Sequence, residues 1–245
     1  MLNILVPMAG KGSRFKEAGY TFPKPLIEID GKPMIEVVVE NLRPDTEHRF
    51  VFICQQEHIE KYGLKALLTL IAPGCVVIPI HTYTEGAACT ALLAADYINN
   101  DDELVIANSD QFIDSSFSDF VAFARAQALD GAILTFPATH PKWSFVKTDA
   151  QGYVVEVAEK KPISNEATAG VYYFRTGKLF VDAAQEMIRK DIRVNSEFYV
   201  CPVYNEMILD DRRIKPFKVQ ASQMHGLGTP EDLNRFIKDI GTKTK

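Results

Sequence analysis

Hydrophobic positions follow two rhythms along the first half of the chain. Short continuous apolar runs mark strands buried on both faces, and they fall at residues 4–6, 49–54, 76–80, 104–107 and 132–136. A shorter strand is expected at 26–29, closed by the turn Asp30-Gly31-Lys32. Between these runs the apolar spacing turns helical. Pro33 suits a first helical position, and Met34, Ile35, Val38, Val39 and Leu42 follow on one face. Further helices are predicted over 56–71, ended by Pro73-Gly74, over 87–98 with small residues, and over 117–128. Alternating strands and helices imply right-handed crossovers and a mainly parallel sheet.

Past residue 140 the rhythm changes. Segments 145–147 and 153–157 flank the turn Asp149-Ala150-Gln151-Gly152 and read as a hairpin. A strand at 171–174, helices at 177–189 and 198–209, and a strand at 214–219 follow. Thr229-Pro230-Glu231-Asp232 opens a last helix with N-terminal capping chemistry. Residues 241–245 are expected to fray. The expected fold is a single α/β domain over 1–245, a mostly parallel sheet flanked by helices with an antiparallel hairpin inserted in its second half.

Composition narrows the function. The chain has 245 residues, 47% hydrophobic and 24% charged, with a net charge of −5. An acidic balance disfavours a general nucleic-acid or anionic-membrane binder. No apolar run approaches the roughly 20 residues of a membrane helix, and Pro7 interrupts the only early one. The cysteines, Cys54, Cys75, Cys89 and Cys201, form no CxxC pair and read as reduced thiols. A cytoplasmic protein with small-molecule partners is expected.

The candidate chemistry starts where the first strand stops at Pro7. Ala9, Gly10, Gly12 and Ser13 follow, then Arg14, then Lys24 held between Pro23 and Pro25. Glycines after a strand expose backbone N–H groups in a concave turn suited to anions, and a proline-clamped lysine is aimed rather than solvated. The loop lacks the Walker A ending, and Phe15 stands where a dinucleotide motif has its third glycine. Asp110 follows the strand 104–107 directly, where open α/β sheets bind ligands, and a carboxylate there suits Mg²⁺ beside a triphosphate. Asp114 reads as a helix cap. Glu85 to Thr90 is rich in small residues, which would admit a flat base or equally a close helix–sheet contact. Glu159-Lys160-Lys161-Pro162 with Ala169-Gly170 offers either a second anion site or a solvated face. His81, His140 and His225 are dispersed, which speaks against zinc, and no GxSxG elbow occurs.

Ala9-Gly10-Lys11-Gly12-Ser13-Arg14, Pro23-Lys24-Pro25-Leu26 and Gly31-Lys32-Pro33-Met34 together resemble the opening of the sugar nucleotidyltransferases, the nucleoside-diphosphate-sugar pyrophosphorylases. The likeness continues at Asp110, Glu159 to Pro162, Ala169 to Tyr172 and Gly228 to Glu231. It implies a Rossmann-like (GT-A-like) single catalytic domain without the C-terminal β-helix of some members, 1–135 binding nucleotide and 136–245 the acceptor. The implied reaction joins a nucleotide monophosphate from an NTP to a phosphorylated acceptor and releases pyrophosphate, for surface or capsule polysaccharide precursors. Arg14 would hold the pyrophosphate, Lys24 the α-phosphate and Asp110 the Mg²⁺. The implied nucleotide site comprises Met8, Ala9, Gly10, Gly12, Ser13, Arg14, Lys24, Glu85, Gly86, Thr90 and Asn108. The implied acceptor site comprises Glu159, Lys160 or Lys161, and Gly170.

Two departures fall on the acceptor half. The family's W-x-D-x-G-T ending is here Met224-His225-Gly226-Leu227-Gly228-Thr229, with glycine in the place of a second metal carboxylate, which is then either missing or supplied from elsewhere, Glu197 and Glu206 being the candidates. The Glu-Lys-Pro triplet is Glu159-Lys160-Lys161-Pro162, so the acceptor lysine is either of two. By family analogy CTP leads, with UTP or dTTP next. The competing readings are a GT-A glycosyltransferase using an NDP-sugar, and a non-catalytic nucleotide or sugar sensor.

Overall fold

The computed structural model describes residues 1–243. β1 (Leu2–Pro7) leads through the glycine turn to α1 (Ser13–Glu17), and a 3-10 turn at Lys24–Leu26 follows. A two-strand ribbon, β2 (Glu28–Ile29) with β3 (Lys32–Pro33), precedes α2 (Met34–Asn41). Then come β4 (His48–Gln55), α3 (Gln56–Tyr62), α4 (Leu64–Ile71), β5 (Val76–Ile80), α5 (Ala87–Leu92), α6 (Ala95–Ile98) and β6 (Glu103–Ala107). The second half runs β7 (Gln111–Ile113), α7 (Phe117–Ala126), β8 (Gly131–Pro137), β9 (Ser144–Thr148), β10 (Val154–Glu159) and β11 (Glu166–Phe174). It ends with α8 (Gly177–Arg189), α9 (Val203–Leu209), β12 (Ile214–Lys218), β13 (Met224–Gly226) and α10 (Pro230–Lys243).

The main sheet has the order β12-β8-β11-β6-β1-β4-β5. β4, β5 and β6 run parallel to β1, and β12 runs parallel to β8. β11 alone in this row is antiparallel to its neighbours, β6 and β8. The expected mixed, mostly parallel sheet is therefore present, with the β9–β10 hairpin attached through β11. Strand alternation sorts β1 between two cores: Ile4 and Val6 pack towards α2, α4 and α7, Leu5 towards α5, α8 and α9. No helix among the described residues is long and apolar enough to cross a membrane.

Several boundaries differ from the sequence reading, each for a local reason. Of the expected strand at 26–29, Glu28–Ile29 forms β2, whereas Leu26 closes the 3-10 turn that Pro25 helps hold. The helix expected over 56–71 breaks at Gly63, which sits in the left-handed region at φ 65°. The helix expected over 87–98 is interrupted between α5 and α6 at Leu93 and Ala94, where no side chain explains the break. The helix expected from 198 begins only at Val203, since Pro202 lacks the N–H and restricts Cys201 before it. Ser116, not Asp114, caps α7, its Oγ accepting from the Asp119 N–H. Of the tail expected to fray, α10 continues through Lys243, and Thr244 and Lys245 lie outside the described residues. The short ribbon β7–β13 has no clear sequence signal, yet it aligns Gln111 with Gly226.

β11 serves several strands and cannot do so with one straight register. It shifts between Thr168 and Tyr172 in its pairing with β8, around Gly170 at φ 68°. A Cβ on Gly170 would lie 1.9 Å from Nε2 of Gln111 and 2.4 Å from Nδ2 of Asn108. The bulge therefore needs glycine twice over, for its backbone angle and for the space.

The hairpin is anchored from below by Asn205 on α9. Its Nδ2 donates to the Val157 carbonyl at 2.9 Å and its Oδ1 accepts from the Val157 N–H at 3.0 Å. Asn205→Ala would leave both backbone groups without that partner. We expect a loss of about 1–3 kcal/mol in urea unfolding, with looser placement of Glu159 at the end of β10.

Candidate active site

At the carboxyl end of the parallel strands lies a cavity of about 750 Å³. Pro7, Met8, Gly10 and Arg14 form one wall. The loop is pinned from beneath: the Met8 N–H donates to the Ile53 carbonyl at 2.9 Å, and Gln55 Nε2 donates to the Ala9 carbonyl at 2.7 Å. Gly12, at φ 60°, starts α1, its carbonyl accepting from the N–H groups of Phe15 and Lys16. Arg14 thus sits on a short helix whose only buried residue is Phe15. Lys24 opens the 3-10 turn and reaches Asp110, Nζ to Oδ2 at 2.9 Å. Both side chains remain about a quarter exposed, at 22% and 26%.

Asn108, Ser109, Asp110 and Gln111 form the floor where β6 ends. The Asn108 N–H donates to the Gly170 carbonyl at 2.9 Å, and the Leu227 N–H donates to the Asp110 carbonyl at 2.7 Å. The Asp110 backbone is thus held between the bulge in β11 and the segment after β13. Asp232, in the first turn of α10, also lines the cavity. No cluster of three or more metal-ligating side chains occurs among the described residues. The donor set here is of oxygens, and Mg²⁺ is satisfied by one or two carboxylates with phosphate oxygens and water. Asp110 fits such a cation.

The opposite wall comes from the hairpin and the segment before α9. Ser144 donates from Oγ to Oε2 of Glu159 across the β9–β10 pair. Burial pushes the Glu159 carboxyl above its ordinary range, opposed by that hydrogen bond and by the charge of Lys160. Lys160 takes the left-handed conformation at φ 54°, and its Nζ donates to the Tyr199 hydroxyl. Trp143, Asn195 and Tyr199 complete this side.

Among the expected site residues, Met8, Gly10, Arg14, Lys24, Asn108, Asp110, Glu159, Lys160 and Gly170 line this one cavity. Ala9, Gly12 and Ser13 shape the loop behind it without lining it. The segment 85–90 makes contacts of its own. Glu85 pairs with Arg193 at 2.5 Å, and Thr90 donates to the Gly86 carbonyl at 3.1 Å. A Cβ on Gly86 would lie 2.4 Å from the Phe198 carbonyl oxygen, so its small size serves backbone packing. Only Ala87 of this segment lines the cavity. Lys161 is exposed and points no group into the cavity lining. Neither suggested replacement carboxylate lies there: Glu206 is buried against Lys190 at 2.6 Å, and exposed Glu197 bonds Tyr199. Sequence reasoning missed Lys142, Trp143, Ser144, Gln111, Tyr199 and Asp232, of which only Asp232 carried a signal, as a first-turn acid after Thr229.

A glycine turn, an aimed lysine and a strand-end carboxylate around one cavity define an α/β nucleotide-handling enzyme class. The chain belongs to the nucleotidyl transferase family, whose model matches residues 4–213. It is 23% identical over 254 aligned residues to the bifunctional protein GlmU of Methanocaldococcus jannaschii, covering 100% of this chain and 56% of that protein. It is 26% identical to a mannose-1-phosphate guanyltransferase of Gibberella zeae, over 97% of this chain and 60% of that one. The chain thus spans little more than half the length of these curated relatives. Its structure resembles a nucleoside-diphosphate-sugar pyrophosphorylase from Vibrio cholerae RC9, with TM-score 0.83 and 26% identity, covering 96% of this chain and 99% of that one.

The raised Glu159 carboxyl has a stability consequence. The folded chain holds this proton more tightly than the unfolded chain, so stability from this group falls as pH rises from the ordinary value, 4.5, through the raised one. Below that window the group costs nothing; above it a half-buried carboxylate is ionised. Glu159→Gln should therefore melt higher than the parent chain at about pH 7–8 and show no such gain at about pH 4. Thermal melts at both pH values read the difference.

Proposed function

We propose that this protein is a Mg²⁺-dependent nucleotidyltransferase that joins a nucleotide monophosphate from an NTP to a phosphorylated small-molecule acceptor. The observation that carries this reading is the convergence of Arg14, Lys24 and Asp110 at the ends of β1 and β6, facing Glu159 and Lys160 across one cavity. A phosphate oxygen of the acceptor attacks the α-phosphorus in line. The bond from that phosphorus to the bridging oxygen of the β-phosphate breaks, and pyrophosphate leaves with both electrons. Lys24 neutralises the α-phosphate, Arg14 receives the departing pyrophosphate, and Lys160 holds the attacking phosphate. Glu159 accepts hydrogen bonds from acceptor hydroxyl or amine groups. Positioning and charge neutralisation supply most of the acceleration in such chemistry. Asp110 would hold Mg²⁺, which when bound withdraws charge from the triphosphate.

By family analogy we favour CTP slightly, ahead of UTP and dTTP, and a role in surface polysaccharide precursors made in the cytoplasm. One relative's name specifies guanyl transfer to mannose 1-phosphate, so GTP and hexose 1-phosphates belong in the same test. The experiment is a matrix of CTP, UTP, dTTP, GTP and ATP against sugar 1-phosphates and smaller phosphorylated alcohols, with pyrophosphate detection. At least one pair should turn over, and Lys24→Ala and Asp110→Ala should each slow it by roughly 100-fold or more. Unchanged turnover in both variants, or sugar transfer from a ready-made NDP-sugar without pyrophosphate, overturns the assignment.

The lining of the cavity separates the two adjacent lysines. Lys160→Ala should raise the KM for the acceptor about tenfold or more, as loss of a charge-assisted hydrogen bond does. Lys161→Ala should leave it within about twofold. Steady-state kinetics with the acceptor varied at saturating NTP decides between them.

A further inference from the structure

Residue 226 is a glycine that its own backbone does not demand. It lies in β13 opposite Gln111, and it is not among the residues with positive φ. A Cβ built on it would meet nothing closer than 3.6 Å, an ordinary contact. What it would meet is Asp232: Oδ2 at 3.6 Å, Cγ at 3.7 Å and Cβ at 3.9 Å. The side chain of Asp232 thus fills the space beside residue 226 that a side chain there would enter. Asp232 is not spent on capping its own helix. Thr229 does that, its Oγ1 accepting from the Asp232 N–H at 3.1 Å.

Two residues further along, the same segment borders the other carboxylate. A Cβ on Gly228 would lie 2.7 Å from Oδ2 of Asp110. Asp110 and Asp232 therefore flank one short stretch and line one cavity. Each has a lysine for company: Lys24 at 2.9 Å from Asp110 and Lys142 at 3.7 Å from Asp232. Gln111, next to Asp110 in the chain, is 8% exposed, lines the cavity and is paired in register with Gly226. Its Oε1 is buried with no hydrogen-bond partner among the described residues. Buried acceptors of that kind are rare unless a ligand or ion completes them. Two carboxylates and an amide carbonyl make a set of hard oxygen donors, the kind Mg²⁺ and Mn²⁺ select.

We propose that Asp232 is the second carboxylate of the divalent-cation site, delivered from α10 into the space that Gly226 leaves open, with Lys142 as its counter-ion until a metal–triphosphate enters. The proposal rests on the nucleotidyl-transfer reading. Lys24 and Lys142 then pass from carboxylates to phosphate oxygens as the cation takes their places. Gly226 must stay small only because Asp232 uses the room beside it.

Mn²⁺ binding tests this without relying on turnover. Calorimetry and the electron paramagnetic resonance of bound Mn²⁺ are measured with the full chain and the α,β-methylene analogues of CTP, UTP, dTTP and GTP. Four proteins are compared: the parent chain, Asp110→Asn, Asp232→Asn, and Asp232→Ala, which empties the space beside residue 226, combined with Gly226→Asp. Asp232→Asn should weaken Mn²⁺ binding in the presence of nucleotide by roughly tenfold or more, with an unchanged melt. The double variant should recover most of that loss, because its carboxylate returns from the strand side. If Asp110→Asn loses Mn²⁺ while Asp232→Asn binds it like the parent, the proposal fails and the nucleotidyl-transfer reading stands. A double variant that folds but does not recover also overturns the placement. If the parent chain retains no Mn²⁺ with any analogue, the nucleotidyl-transfer reading falls and takes the proposal with it.

Discussion

β11 has to hydrogen-bond β6, β8 and β9, and no single straight strand meets all three. The conflict is resolved at Gly170, where a left-handed residue shifts the register. From that shift follow the features that make a cavity. The hairpin β9–β10 swings out to form a far wall carrying Ser144, Glu159 and Lys160. The exposed face of the bulge receives the side chains of Asn108 and Gln111, and its carbonyl fixes the Asn108 backbone. Strand reversal also separates β6 from β8, and the crevice outside such a switch is where open α/β sheets hold ligands. The same bulge links the wall at the end of β6 to the wall built from the hairpin.

Charge at the site contributes little to stability. The Lys24–Asp110 pair is about a quarter exposed on each side, at 22% and 26%. Pairs that wet are worth of order 1 kcal/mol or less, so the lysine is only weakly committed to the carboxylate. Lys142–Asp232 is longer, at 3.7 Å, and its lysine is 47% exposed, so it is weaker still. Glu206–Lys190 shows the opposite arrangement, with the carboxylate 5% exposed and bonded at 2.6 Å. That pair joins α9 to the end of α8 and has no part in the cavity. The distinction between a structural and an exchangeable ion pair lies in the burial of the carboxylate.

The wall carrying Arg14, Lys24 and Asp110 was legible because it is local. Arg14 and Asp110 follow closely on β1 and β6, whose apolar runs are unmistakable, Lys24 opens a proline-flanked turn, and a parallel sheet brings such strand ends together whatever the details between. The alternating elements and the hairpin could be read for the same reason. The rest of the cavity lining comes from segments 142–144, 159–160, 195–201 and 226–232, and no spacing in the chain announces that these meet. Segment 85–90 left two readings open because small residues have one signature for two purposes. A base platform and a close backbone contact both need them, and at Gly86 the backbone of Phe198 takes the space. Gly63 split a helix that apolar periodicity alone runs straight through.

Glycine composition illustrates the limit more sharply than any element boundary. Gly86, Gly170 and Gly226 look alike in the sequence, yet they answer to different constraints. At Gly86 a Cβ would strike backbone atoms, which cannot move aside. At Gly170 both the dihedral angle and the neighbouring amides exclude any side chain. At Gly226 neither exclusion applies, and the nearest neighbour is the carboxylate of Asp232 on another element. A glycine forced by its backbone reports on folding alone. A glycine beside a cavity, with no such exclusion and a carboxylate of another element as its nearest neighbour, is not explained by folding alone.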